Sequence, residues 1–184
     1  MTPFIIIQDQ QEKHPFLFRK EDLKIPNDPI IEVAHLKTGD YSIKGFESDV
    51  CIERKSIADL FGSCGTGHDR VEREFQRMAE FKYAAFVVEA DWHEIYTKPP
   101  NRSRMSPKQI LRIIMAWHMR YNVHIWACPG RKFAEKITYL LLDRYYRDQI
   151  KAAHNDDTDI LSSINATGSG RISDSITAGA GQKK

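Results

Sequence analysis

Asp40, Glu53 and Lys55 are the residues of this sequence whose types and spacing best suit chemistry. Residues i and i+2 of a β-strand share a face, so a strand through Glu53-Arg54-Lys55 turns Glu53 and Lys55 one way and Arg54 the other. A hairpin-like turn near Lys44-Gly45 would bring Asp40 beside Glu53. Two carboxylates and one ammonium then meet at a single spot. Buried carboxylates repel unless a divalent cation sits between them, and oxygen-only ligands favour Mg2+ or Mn2+ over zinc. Hydrolysis of a phosphodiester asks for that combination: a Lewis acid, an activated water, and a cation to position it or absorb charge. An aspartate and an ExK taken alone also describe solvated surface charge or a strand salt bridge, and spacing leaves both readings open.

The elements that must position these residues alternate short β-rich runs with longer helical patterns, as in an α/β domain. Strands are expected at Phe4–Ile7, Ile30–Ala34, around Tyr41–Ile43, at Val50–Glu53, Ala84–Glu89 and Asn122–Trp126. Ser56 followed by Asp59 resembles a capping box opening a short helix at Ile57. Val71, Phe75 and Met78 mark the apolar stripe of a helix from about Asp69 to Phe81. Ser106, Pro107 and Gln109 form a strong helix start, with Ile110, Leu111, Ile114 and Trp117 on the inner side. A last helix of about five turns is expected from Arg131 to near Lys151. From Ala152 onward aromatic residues vanish and small polar ones dominate, so 1–151 reads as one domain and 152–184 as a disordered tail. The loop Lys98–Arg104 is basic and proline-rich.

A chain of 184 residues with 41% hydrophobic content is long enough for one sizeable core. Its net charge of +2 neither demands nor excludes nucleic acid, so such a partner must be argued from local clusters. Cys51, Cys64 and Cys128 form no CxxC and have no histidine at ligand spacing, which suits reduced, buried thiols. Cys64 has no base beside it in sequence and is not expected to be a nucleophile. No signal peptide is expected, because the first apolar run, Phe4–Ile7, is only four residues long, and no run approaches the roughly 20 residues that span a bilayer. The expected setting is intracellular: cytoplasm, nucleoid or nucleus, not secreted and not in a membrane.

Gly39-Asp-Tyr41 followed by Ile52-Glu-Arg-Lys-Ser-Ile-Ala-Asp-Leu60 resembles the GDY…ERKxxxD signature of XPF-type nuclease domains, within the PD-(D/E)xK superfamily. Ile5-Ile-Ile-Gln-Asp-Gln-Gln-Glu12 resembles the family's first strand and D-x-R-E motif, with Gln11 where the arginine stands. The likeness covers roughly residues 4 to 150 in layout, and its specific motifs lie between 39 and 60. It implies a restriction-endonuclease-like fold, a mixed central sheet flanked by helices. It also implies a Mg2+-dependent endodeoxyribonuclease (Mn2+ substituting) that acts through an activated water with no covalent intermediate. The implied substrate is branched, flapped or junction DNA, in repair or recombination. Members that cut branched DNA usually add a helix-hairpin-helix pair, which this sequence does not show. The alternative is a silent DNA-binding or scaffold subunit, since the family includes partners that have lost the acids or the lysine; all three are kept here.

By this resemblance Asp40 and Glu53 are metal ligands, with Asp9 binding directly or through water and Glu12 nearby. Lys55 holds the attacking water or offsets charge. Arg54 takes a catalytic or structural part although strand parity turns it away. Asp59 either completes the helix cap or lies near the metal. Arg70 and Arg73, beside Gly65 and Gly67, either grip DNA phosphates or form a solvated face paired by Glu72 and Glu74. His68 stands where members often carry a basic residue. Such domains commonly pair, and Tyr139, Tyr145 and Tyr146 on the last helix either offer a homodimer surface or cap the sheet.

Overall fold

Six strands form one mixed sheet in the order β2-β1-β3-β4-β5-β6. The computed structural model describes residues 3–101 and 103–168, with side chains as far as His154. Along the chain run β1 (Ile5–Asp9), α1 (Lys20–Leu23), β2 (Ile30–Ala34), β3 (Tyr41–Ile43), β4 (Val50–Lys55), α2 (Ile57–Cys64), α3 (His68–Met78), β5 (Tyr83–Val88), α4 (Trp92–Thr97), α5 (Pro107–Tyr121), β6 (His124–Ala127) and α6 (Arg131–Gly168). β3 is antiparallel to both β1 and β4, whereas β1–β2, β4–β5 and β5–β6 are parallel. The first compact unit, Met1–Tyr146, contains the whole sheet; the second is Arg147–Lys184.

β4 is buried at all six positions, so its parity sorts residues between two cores rather than between core and water. Cys51 joins Phe86, Val88 and the inner faces of α2, α3 and α5. Val50 and Ile52 join Ala85, Val87 and residues of α1 and α6 on the other face. Helices therefore cover both faces, as the α/β restriction-endonuclease-like reading requires.

Local signals explain three of the helix starts. At α5, Ser106 and Gln109 complete a reciprocal capping box with Pro107 in the first turn. At α2, Ser56 accepts from the Asp59 amide, but the Asp59 carboxylate returns to the Ser56 hydroxyl rather than to its amide, so the box is half made. The six-residue α4 carries a full box from Asp91 and Glu94; its shortness hides it from any periodicity, and the single turn of α1 is hidden likewise. α6 runs on past Lys151 to Gly168, because no glycine or proline interrupts residues 131–167. The tail expectation for 169–184, like Arg102 of the basic loop, lies outside the described residues. Tyr145 and Tyr146 pack edge-on to Phe46, and Tyr139 and Tyr146 meet Phe4, so these rings cap the sheet.

Candidate active site

The site begins at Gly39. Its φ is +81°, and an added Cβ would stand 3.1 Å from Cys51 Cβ and 3.2 Å from Ile52 O; only glycine combines that conformation with that approach. The turn so permitted lets Asp40 donate its amide to Ile52 O at 2.8 Å and accept from the Asp9 amide at 2.8 Å. The Asp40 carboxylate then receives the Arg54 amide on Oδ2 at 2.7 Å. Tyr41 points to the opposite core, fully buried, stacked on Phe16 and accepting its amide at 2.7 Å. Within the GDY run, then, Gly39 gives clearance, Asp40 supplies the carboxylate and Tyr41 anchors the strand.

On β4, Glu53 and Lys55 turn to the α2/α3 face, where Lys55 Nζ donates to Glu53 Oε1 at 2.6 Å. Both side chains are less than a tenth exposed. Burial pushes the Asp40 carboxyl up to about 7, with repulsion from Glu12 and Glu74 adding and the Arg54 amide and Lys55 opposing. Glu53 is driven well above the carboxylate range, first by burial and then by the charges of Asp40 and Glu74. Burial works against the Lys55 charge, but Glu53 and Glu74 outweigh it and raise the ammonium's pKa. These are the electrostatics of carboxylates crowded without enough positive charge.

Glu74 was invisible to sequence reasoning, which gave it only a solvated-face role. It lies on α3 one turn beyond Arg70, and its Oε2 is buried with no donor other than a protonated Glu53 to bond it. The available signal was its place in the helical repeat: with Val71, Phe75 and Met78 buried, position 74 borders the inward face. Glu72, by contrast, binds Arg120 and accepts from Tyr121 Oη at 2.8 Å, away from the site. An orphaned buried carboxylate oxygen beside two strained carboxyls is what a divalent cation would satisfy. Asp40, Glu53 and Glu74 are the oxygen donors that fit it. Among the described residues no three His, Cys, Asp or Glu close into a ready-made metal-holding group, so these donors would have to draw together around the ion.

The structure does not gather every residue expected there. Asp9 accepts from the Leu36 amide at 2.9 Å on one carboxylate oxygen and from the Gln11 amide at 3.2 Å on the other, so it holds the turn after β1. Glu12 is buried, accepts the His14 amide at 2.6 Å, and adds to the charge felt by Asp40. Arg54 lies on the far face of β4. Its Nε donates to Glu89 at 2.7 Å, its guanidinium reaches Glu12 at 3.4 Å, and Arg131 donates to the same Glu89 oxygen at 2.7 Å. Both guanidinium groups sit over the Phe16 ring. Glu89 and Arg131 were not singled out by the sequence, and this network ties the Arg54 side chain to Glu89 and Glu12 behind β4.

Lys55, Asp59 and Arg70 line one cleft of about 390 Å3 whose wall includes Gly62 and Gly67. Arg73 is exposed on α3 and is not among the cleft's lining residues. His68 packs against Trp117 and lies on α5's side. All three cysteines are free and buried, and burial pushes the Cys64 thiol up to about 12, which removes it as a nucleophile. No described helix is long and apolar enough to cross a membrane.

The fold has counterparts among known proteins. XPF from Aeropyrum pernix superposes with a TM-score of 0.60 at 20% identity, covering 86% of this chain and 73% of its own. The same protein in complex with DNA gives 0.56 at 20% identity, covering 82% of this chain and 66% of its own. No curated protein sequence matches. The model of the ERCC4 domain matches residues 10–141, a span that holds Asp40, Glu53, Lys55, Arg70 and Glu74, and the chain therefore belongs to the ERCC4 domain family.

Proposed function

We propose that this protein is a Mg2+-dependent DNA endonuclease acting on branched, flapped or otherwise discontinuous duplex. The observation that carries the reading is the convergence of Asp40, Glu53 and Lys55 in a buried corner that opens beside the Arg70 cleft. DNA as the substrate is supported by the family and by the DNA-bound Aeropyrum pernix XPF that shares the fold.

A divalent cation held by Asp40, Glu53 and Glu74 would supply Lewis acidity to the scissile phosphate and lower the pKa of the attacking water. The residues of the chain do the rest. Glu53 keeps the Lys55 ammonium charged and aimed, so that Lys55 can donate to the incoming water and offset the negative charge growing on the phosphate. Arg70, across the cleft, holds the phosphodiester in register. Water oxygen bonds to phosphorus and gives up a proton to solvent, the bond to the leaving sugar oxygen breaks, and a solvent proton neutralises that oxygen; no covalent enzyme intermediate forms.

The test is cleavage of labelled duplex, flap, fork and four-way junction DNA with Mg2+, Mn2+ or EDTA. Metal-dependent cutting that Glu53→Gln abolishes is the expected result. DNA binding with no cutting of any substrate would overturn it in favour of a silent subunit.

A further inference from the structure

Beside the cleft that holds Lys55 and Arg70 lies a second, larger cavity of about 610 Å3, and the two share Ala58, Gly62 and Thr66 of the α2 ridge. That ridge is low. A Cβ added at Gly62 would meet nothing within 4 Å, so the surface over this shared residue is unobstructed. The larger cavity is walled by the apolar surfaces of Phe61, Pro100 and Met105, with Ser103 and Arg104 supplying polar groups. Its volume lies in the range of about 300–1,000 Å3 typical of small-molecule sites.

The geometry points to this cavity as the receptor for an unpaired nucleobase adjoining the scissile phosphate, a reading that rests on the nuclease function and names how its substrate is chosen. The occupant must be flat and apolar on its faces to lie against Phe61, Pro100 and Met105, and must carry polar edges for Ser103 and Arg104. It must also be tethered to an anion, because the cavity adjoins, across the ridge, the cleft of Lys55 and Arg70. A nucleotide has all three properties. Arg70 on one side of the ridge and Arg104 on the other mark a cationic track for the sugar-phosphate chain. Ser103 Oγ bonds to both the amide and the carbonyl of Met105 at 3.1 Å, so the wall facing the ridge is braced. A paired base reaches such a cavity only by leaving its stack, at a cost of a few kcal/mol. A base at a flap or junction has no pairing partner and gives up only residual stacking on its neighbour. The cavity thus discriminates discontinuous DNA from intact duplex with no contact to any particular sequence.

The experiment uses the full chain and flap DNA in which each nucleotide flanking the cut is replaced in turn by an abasic site or by 2-aminopurine. One abasic position should lower kcat/KM about tenfold, the scale of one lost base contact. At that position 2-aminopurine fluorescence should rise on binding without Mg2+, as the base leaves its stack. Ser103→Trp, which fills the cavity, should reduce cleavage of the normal flap to the abasic level, leave the abasic flap unaffected, and abolish the fluorescence rise. Met105→Trp repeats the test from the other end of the wall, so a local loop distortion at Ser103 cannot mimic the result. Equal loss on normal and abasic flaps in both variants, or no sensitive position, overturns the proposal. If no DNA is cut at all, the nuclease reading has failed, and the fluorescence arm alone decides whether a base enters: a rise lost in both variants supports it, and no rise overturns it.

Discussion

The Asp40 carboxylate accepts the backbone amide of Arg54 at 2.7 Å, which ties the acid of one strand to the middle of the Glu53-Arg54-Lys55 run on the next. The bond sets the distance between the two halves of the site without using any side chain of β4. Glu53 and Lys55 are left free to pair with each other, and Arg54 to reach Glu89 and Glu12 behind the strand.

This geometry depends on Gly39. Gly39→Ala must accommodate a Cβ at 3.1 Å from Cys51 and a positive φ, at a cost of about 1–3 kcal/mol, and the strain falls on the residue that carries Asp40. Urea denaturation should show that loss, and cleavage should fall by more than the loss of folded protein explains. Lys55→Ala should abolish cutting even in the fraction that stays folded, and should itself lower the denaturation midpoint, because buried Glu53 loses its cation. A Gly39→Ala protein of wild-type stability and activity would show that the close approach does not matter.

Glu74 and Glu72 stand two residues apart and have opposite fates. Glu74→Gln should raise the Mg2+ concentration for half-maximal cleavage by about tenfold or more, with DNA binding in EDTA unchanged. Glu72→Gln, which loosens the contact to Arg120 and Tyr121, should change stability little and leave the metal titration where it was. Equal metal titrations for wild type and Glu74→Gln would remove Glu74 from the site.

Much of this was readable in the sequence. The strands fall within a residue or two of their expected bounds, and the opposite facing of Glu53 and Arg54 followed from strand parity alone. What escaped depended on tertiary contact. Asp9 was read as a ligand because an acid at the end of a buried strand often is one; only the fold shows that its oxygens also accept the Leu36 and Gln11 amides. Glu74 looked solvated because a local charge pattern offered arginines as partners, while the helix in fact turns it toward Glu53. Glu89 and Arg131 are 42 residues apart, and no local pattern could have paired them across Arg54.

The crowded acids make the metal-free protein pH-sensitive. Asp40 titrates near 7 in the folded chain against an ordinary 3.8, so folding strengthens its hold on a proton. The stability this contributes is complete below about pH 4 and is lost as pH rises through 7; Glu53 shifts in the same direction. In EDTA the wild-type Tm should therefore fall from pH 5 to pH 8, by roughly 5–10 °C for a few kcal/mol. Asp40→Asn should flatten part of that fall and melt higher than wild type at pH 8. Mg2+ should restore the wild type at pH 8 and do little for Asp40→Asn. A wild-type slope unchanged by the substitution would mean that Asp40 is not the titrating group.

Arg54 is predicted to act through stability. Arg54→Met removes one of the two guanidinium groups on Glu89 and the one that reaches Glu12, leaving buried carboxylates short of charge at a cost of about 2–4 kcal/mol. Glu89→Gln should destabilise in parallel. At a temperature where the variant is folded, Arg54→Met should retain cleavage within about tenfold of wild type, because Arg131 still holds Glu89 and the Arg54 amide still reaches Asp40. A fully folded Arg54→Met as dead as Lys55→Ala would instead give the guanidinium a direct part in the reaction.

The two arginines of α3 separate contact with DNA from general basicity. Arg70 lines the cleft with Lys55 and Asp59, whereas Arg73 is exposed elsewhere on the helix. Arg70→Ala should weaken binding of flap DNA in EDTA and reduce the slope of log Kd against log salt by about one phosphate contact. It should also lower kcat, since a phosphate no longer held in register reacts poorly. Arg73→Ala should shift Kd by less than about threefold, with kcat intact. Anisotropy titrations across a salt series decide it: matching slopes for the two variants would mean that DNA meets α3 as a charged surface, and that the cleft does not hold the phosphate.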